Sequence, residues 1–226
     1  MSNVAEIDEF CKKNFDRYEL IVVDDGSSDN TYNMLKDYEK SLKIKLLRNP
    51  VNLGKGAAVK AGIMNAELPL VLFSDIDLAT PLEELNKFVK YLPEYDIIIG
   101  SRNHPESVME VNQSRFRQFL GKCFPILVNI FIMKDIRDTQ CGFKLFKTKV
   151  AKEVFSFQTI KGFAFDVEIL LIAKKLSYKI KEMPVVWKDK KGSKISPLKD
   201  AVKMLLQLFA IKYNSFNKKY TKRERH

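Results

Sequence analysis

Leu70-Val71-Leu72-Phe73-Ser74-Asp75-Ile76-Asp77-Leu78-Ala79-Thr80-Pro81 joins an apolar run to two carboxylates separated by one residue. Its first half is a short apolar run of the kind that forms a buried strand, and Thr80-Pro81 stops it. Residues at i and i+2 of an extended segment project to the same side, so Asp75 and Asp77 can converge on one point. Two close carboxylates repel unless a cation lies between them, and Mg2+ or Mn2+ suits such a site because these hard ions take oxygen ligands. A solvated turn at a strand end is the other reading, which Asp-x-Asp alone does not exclude. The surroundings have to choose.

Upstream, Tyr18 to Val23 reads as a second buried strand, ending in Asp24-Asp25-Gly26-Ser27-Ser28-Asp29-Asn30-Thr31. Gly, Ser and Asn make that a strand-to-helix turn, with Ser28 or Asp29 as N-cap of a helix through Tyr38. Ile44 to Leu47 is a further strand. Asn52-Leu53-Gly54-Lys55-Gly56-Ala57-Ala58 then opens a small-residue helix to about Ala66. A Gly-Lys-Gly turn at a helix start offers backbone N–H groups, the helix dipole and the Lys55 ammonium to an anion. It lacks the spacing of a Walker loop, so a structural turn reads equally well. Before these strands, Val4, Ile7, Phe10 and Cys11 have helical spacing.

Downstream, Pro81 to Tyr91 reads as a helix and Asp96 to Gly100 as a strand leading into Ser101-Arg102. Strands alternating with helices predict a parallel-sheet α/β domain with its site at the carboxyl ends of the strands. Asp138 to Phe146 is a turn and strand, Phe163 to Ala173 opens an apolar helix, and Ile180 to Trp187 is a strand. A basic loop, Lys188 to Lys194, follows; it suits phosphate or plain solvation. Two segments join basic residues to apolar ones: Ser114 to Met133, with Arg115, Arg117 and Lys122, and the helix begun by Pro197, whose Val202, Leu205, Leu206 and Phe209 share a face. Each reads as core or as an element lying in a membrane interface.

The 226 residues, 46% apolar and 30% charged, predict one globular domain over residues 1–213, with interfacial segments near 115–133 and 197–213 and a solvated basic tail over 214–226. Thirty-nine basic against 28 acidic side chains leave +11, which points to anionic partners: phosphates, nucleic acid or an anionic membrane. No regular recognition motif supports nucleic acid. Cys11, Cys123 and Cys141 fit neither a disulfide framework nor a zinc site, so a reducing compartment is expected. No signal-peptide pattern opens the sequence and no apolar run reaches the roughly 18 to 20 residues of a transmembrane helix, so the expectation is a cytoplasmic protein, peripheral on the cytoplasmic face of a membrane.

The ordered set Val22 to Thr31, Asn52 to Ala58, Asp75 to Pro81, Gly100-Ser101-Arg102, Asp138 to Phe146, Phe163-Ala164-Phe165-Asp166-Val167-Glu168 and Gly192 to Pro197 resembles a family 2 glycosyltransferase of the GT-A fold. Within it, the dolichyl-phosphate β-glucosyltransferase branch is the nearest in kind. The resemblance implies a Rossmann-like, mostly parallel sheet flanked by helices. It implies inverting transfer of glucose from UDP-glucose to dolichyl or polyprenyl phosphate at a membrane surface, dependent on Mg2+ or Mn2+. By position it implies that Val23 and Asp25 contact the base and that Asp75, Ile76 and Asp77 hold metal and diphosphate. Arg102 would face the phosphates with Lys55, Lys188 and Lys194. Arg115 and Arg117 would bind the acceptor phosphate, with Asp138, Gln140, Asp166 and Glu168 as further acceptor-side candidates. Family members begin with a strand bearing a Pro-x-Tyr-Asn-Glu type motif, whereas residues 1–15 here read as the helix that follows it, so the first strand is missing. The rival readings are a related transferase with mannose, N-acetylglucosamine or another acceptor, and a catalytically impaired nucleotide-sugar-binding protein.

Overall fold

A computed structural model describes residues 3–110, 124–189 and 197–221. The first half runs α1 (Asn3–Asn14), β1 (Leu20–Asp24), α2 (Thr31–Ser41), β2 (Ile44–Arg48), α3 (Lys55–Met64), β3 (Leu70–Ser74), α4 (Leu85–Phe88, between two 3₁₀ turns), β4 (Ile97–Ser101) and β5 (Val108–Glu110). The second half contains α5 (described over residues 124–131), β6 (Phe143–Lys147), α6 (Thr148–Ser156), α7 (Phe165–Lys175), β7 (Ile180–Pro184), β8 (Val186–Lys188) and α8 (Pro197–Phe216). The single strand expected over Ile180 to Trp187 is interrupted at Val185, whose carbonyl instead accepts the Val108 N–H. Asn30, one residue later than the predicted caps, precedes α2, and the Asp29 carboxylate accepts the Thr31 N–H at 3.1 Å.

The largest sheet has the order β3-β6-β4-β7. β4 and β7 are parallel, while β6 is antiparallel to both of its neighbours. β6 comes from the turn and strand after Asp138, and wedging it between β3 and β4 brings Gly142 alongside Asp75. Alternation across β4 sends Ile97 and Ile99 to one face, with α3, α5, α6, α7 and α8, and Ile98 to the other, with α1 and α4. The result is helix, sheet, helix, with β4 buried throughout.

β1 and β2 form a separate parallel pair. β1 and β3 lie over the same helix: Val23 packs at Gly62, and Val71 and Phe73 join the cluster around Ile63 and Val59. Their starts are tied together by the Glu19 carboxylate, which accepts the Glu67 and Leu68 N–H groups at 2.6 and 3.3 Å. Yet neither strand pairs with the other, and neither contains a buried apolar residue. Among the described residues, β1 and β3 therefore each present an unpaired edge. The Asn3 side chain donates to the Ile76 carbonyl at 2.8 Å, so α1 starts at the carboxyl end of β3.

Unpaired strand edges exchange their amide hydrogens readily. Amides on the facing edges of β1 and β3 are expected to exchange much faster than those of β4 and β6. Adding an apolar strand upstream in the same polypeptide should slow them and raise the melting temperature, by about 2–4 °C for each kcal/mol contributed. Unchanged exchange and melting on that addition would show the edges to be closed already.

The C-terminal segment is docked as far as Tyr220, which is fully buried, rather than solvated as expected. Its hydroxyl donates to Glu168 Oε1 at 2.7 Å, and Asn214 donates to Thr159 Oγ1 at 3.1 Å.

Candidate active site

The β1 turn and the loop before α3 are built on each other through Asp25. Its carboxylate accepts the Asn49 side-chain amide at 2.7 Å, the Leu53 N–H at 3.0 Å and the Gly54 N–H at 2.8 Å. Gly26 has φ +68° and presses on the Val51 backbone, where a Cβ would come within 2.3 Å. Gly54 has φ +102° and meets the Lys161 carbonyl. Side chains fit neither position, so two glycines and one carboxylate fix where α3 begins. Asp24 is buried, paired with Arg48 at 3.3 Å. Val23 is half-buried against α3.

Lys55, the first residue of α3, extends to Asp75 with Nζ 2.7 Å from Oδ1. Burial alone would lower the Lys55 pKa, but the Asp75 and Asp166 charges outweigh it and hold the ammonium above its ordinary value. Asp75 N–H donates to the Gly142 carbonyl at 3.0 Å, and a Cβ on residue 142 would lie 2.0 Å from Asp75 Oδ2. Any larger residue there would displace the Asp75 carboxylate from its present position. The strand ends at Ser74, so the i, i+2 alternation does not extend to Asp77. Asp77 lies exposed in a turn, and its Oδ1 accepts the Ala79 N–H at 3.0 Å. Among the described residues, no group of three or more His, Cys, Asp and Glu is arranged for a metal ion. By donor chemistry alone, Asp75 and Asp77 offer the hard carboxylate oxygens that Mg2+ and Mn2+ take together with phosphate and water.

Arg102, at the end of β4, is gripped by Asp138 through Nε to Oδ2 at 2.7 Å and Nη2 to Oδ1 at 2.9 Å, while its backbone N–H donates to Oδ2 at 2.8 Å. Asp138 is fully buried and also accepts the Gln140 N–H at 3.0 Å. Burial works to raise its pKa, but the Arg102 charge and hydrogen bonds pull it down to about 2. The fork geometry aims the guanidinium, which remains partly exposed, with Trp187 at 5.9 Å.

Asp166 lies inside, bound to Lys144 Nζ at 2.6 Å, with both side chains buried. Burial, ahead of the opposing Lys144 and Lys55 charges, pushes the Asp166 pKa up. Glu168 is enclosed by the Thr159 N–H and hydroxyl, the Ile160 N–H and the Tyr220 hydroxyl. The Lys188 N–H donates to the Ala79 carbonyl at 2.8 Å, bringing β8 beside the Asp77 turn, while its ammonium is 3.6 Å from Glu110. Ile76 projects into solvent. Arg115, Arg117 and Lys194 lie outside the described residues. The structure thus brings Lys55, Asp75, Ile76, Asp77 and Lys188 to one rim, holds Arg102 on the Asp138 and Gln140 turn, and encloses Asp166 and Glu168 in the core. Sequence reasoning passed over Lys144 and Gly142. A lysine within the apolar run Phe143 to Phe146 was the available signal, since a charge there requires a buried partner.

A second feature is an exposed apolar face. Leu206, Phe209, Tyr213 and Phe216 form a stripe along α8, and Ile126, Ile130 and Phe131 of α5 are exposed too. Lys212 Nζ, 5.4 Å from the Phe131 ring centroid, joins the two helices. Among the described residues no helix is long and apolar enough to cross a membrane.

The α/β sheet with this strand order is the GT-A fold, shared with solved structures. Glucosyl-3-phosphoglycerate synthase from Mycobacterium tuberculosis has that fold: its phosphoglyceric acid complex matches 93% of this chain and 75% of its own with TM-score 0.68 at 15% identity. Its complex with Mn2+, UDP-glucose and phosphoglyceric acid matches with TM-score 0.66 at 14% identity, covering 94% and 77%. The chain belongs to glycosyl transferase family 2, whose sequence profile matches residues 5–155. Dolichyl-phosphate beta-glucosyltransferases are similar in sequence: that of Trichomonas vaginalis is 40% identical over 86% of this chain and 59% of its own length, and that of Dictyostelium discoideum 37% over 87% and 63%. The human enzyme is 38% identical over 80% and 59%. The chain thus spans about three fifths of the length of the curated relatives it matches.

Proposed function

We propose that this chain transfers glucose from UDP-glucose to dolichyl or another polyprenyl phosphate, with inversion at the anomeric carbon. The observation that carries the reading is the 37–40% identity to dolichyl-phosphate β-glucosyltransferases across most of the chain. The rim geometry is in keeping with it. Asp75 and Asp77 would hold a divalent cation, which supplies Lewis-acid stabilisation of the departing diphosphate. The neighbouring synthase was solved with Mn2+ and UDP-glucose. Arg102, aimed by Asp138, adds fixed positive charge where the leaving group gains negative charge. Val23 and Asp25 are assigned to the base side of the donor, and Asp25 also holds the Gly54-Lys55 turn in place. Lys188, Lys194 and the donor diphosphate are paired on the family resemblance, as are Arg115 and Arg117 with the acceptor phosphate. A phosphate monoester has its second pKa near 6, so the attacking oxygen is already anionic at neutral pH and needs no strong protein base.

The exposed α5 and α8 face supports a lipid acceptor. Its stripe is flanked by Lys203, Lys212, Lys218 and Lys219, so apolar and electrostatic attraction act at one surface. The protein is assigned to the cytoplasmic face, in line with the unpaired thiols of Cys11 and Cys141. Leu206→Glu combined with Phe209→Glu should weaken sedimentation with anionic vesicles by at least about tenfold, since each buried apolar side chain contributes about 1.5–3 kcal/mol. Salt should weaken wild-type binding as well. Sedimentation unaffected by the double substitution would remove this face from the assignment.

The decisive assay offers labelled UDP-glucose, UDP-N-acetylglucosamine and GDP-mannose with polyprenyl phosphate, using the chain with and without an added upstream strand. Transfer restricted to glucose supports the proposal. The unpaired edges of β1 and β3 favour a second reading, a nucleotide-sugar-binding chain with impaired turnover; donor binding without transfer in both forms would select it.

A further inference from the structure

Lys55 occupies an unusual electrostatic position. The two residues before it are held in place, by the Asp25 carboxylate on the Leu53 and Gly54 N–H groups and by the Lys161 carbonyl against Gly54. Only the four-carbon side chain is free to move, and it lies along Phe73 with Nζ 5.5 Å from the ring centroid. On the other side of this inner group, Lys144 Nζ lies 5.8 Å from the same centroid and is locked between Asp166 and the Cys141 carbonyl. Two ammonium groups and two carboxylates thus surround Phe73, in balance. Lys144 is fully buried, whereas Lys55 and Asp75 keep 27% and 35% of their side-chain surface. Lys55 is therefore the cation of the four that can leave.

We propose that Lys55 is the resident counter-ion of Asp75 and exchanges that place with the divalent cation as the donor binds, so that metal and nucleotide bind as a coupled pair. The inference rests on the metal assignment of the proposed function. A divalent ion arriving alone must share Asp75 with an ammonium already 2.7 Å from Oδ1, and the two cations repel in a partly desolvated site. A diphosphate changes the balance by offering the ammonium new oxygen acceptors in charge-assisted hydrogen bonds. Lys55 moves to the diphosphate, Asp75 is released to the metal, and no net charge is stranded. Coupling of this kind is reciprocal: the nucleotide raises metal affinity by the factor by which metal raises nucleotide affinity.

The test is Mn2+ binding followed by electron paramagnetic resonance of the free ion, with and without UDP. Without UDP, Lys55→Met should bind Mn2+ about tenfold more tightly than the wild type, within the usual 5- to 150-fold span of coupled sites. With UDP that advantage should vanish, so that the coupling factor collapses. Lys55→Arg keeps the charge and should stay within about twofold of the wild type without UDP. Lys55→Gln serves in place of the methionine variant should that variant fail to fold. Equal or weaker Mn2+ affinity of the neutral variants without UDP overturns the inference, as does an arginine variant that binds as they do. Asp75→Asn should abolish Mn2+ binding in wild-type and Lys55→Met backgrounds alike. Retained binding there, or none by any protein with UDP present, overturns the metal assignment itself.

Discussion

Lys144→Met is expected to destabilise the protein by about 3–5 kcal/mol, the usual cost of removing one partner from a buried ion pair. Lys144 is fully buried on β6, and its ammonium satisfies Asp166 Oδ1 and the Cys141 carbonyl, both at 2.6 Å. Methionine fills similar volume but leaves a carboxylate at the start of α7 without its principal partner. The pKa of Asp166 is raised even in the intact pair, with burial the leading cause. A carboxyl whose folded-state pKa exceeds its unfolded value stabilises the folded state fully below the unfolded pKa, near 4, and loses that contribution as pH rises through the folded pKa. The variant should therefore recover stability as pH falls from 7 toward 5, relative to the wild type. Adding Asp166→Leu should restore much of the loss, because two apolar groups need no counter-charge. Urea denaturation at pH 7 and pH 5 checks all three statements. A loss under about 1 kcal/mol for the single substitution would mean that water reaches this pair.

Asp75→Asn is expected to lower glucosyl transfer by about 10²-fold or more, the scale on which one preorganised charge-stabilising group acts. Asparagine preserves the shape and the Asp75 N–H to Gly142 contact while removing the charge that a metal requires and that Lys55 now answers. Melting temperature should change little, since the side chain is partly exposed and exposed ion pairs contribute at most about 1 kcal/mol. Full metal-dependent activity in Asp75→Asn would remove it from the donor site.

The two substitutions separate groups that look alike in the sequence. Asp75 and Asp166 both follow or open an apolar segment and both attracted functional readings. In the fold one reaches the rim and the other faces Lys144 from inside. Asp138 shows the same divergence. It is an acceptor-side candidate by resemblance, yet both its oxygens are committed to Arg102 and the Gln140 turn, so its part is to aim the guanidinium. Glu168 has still less freedom, with four donors directed at it, one of them from Tyr220 near the end of the chain.

Local order was legible because it depends on neighbours. Apolar runs ending in Asp or Gly marked β1, β3 and β4, Gly-Lys-Gly marked the start of α3, and the spacing of Leu205, Leu206 and Phe209 marked an amphipathic α8. These patterns, taken in order, were enough for the α/β class, whereas the family came from the resemblance of the ordered motifs.

What the sequence by itself determined was which residues stand at strand ends, and hence which charges reach a rim. The tertiary structure alone decided what each charge faces. Asp25 with Gly54, Arg102 with Asp138 and Lys144 with Asp166 are pairs separated by 29, 36 and 22 residues. The last two meet because β6 inserts antiparallel between β3 and β4, a strand order that no periodicity records. A one-dimensional pattern tells which side of its own strand a residue takes, but the partner across the sheet is set by the burial of all the strands together.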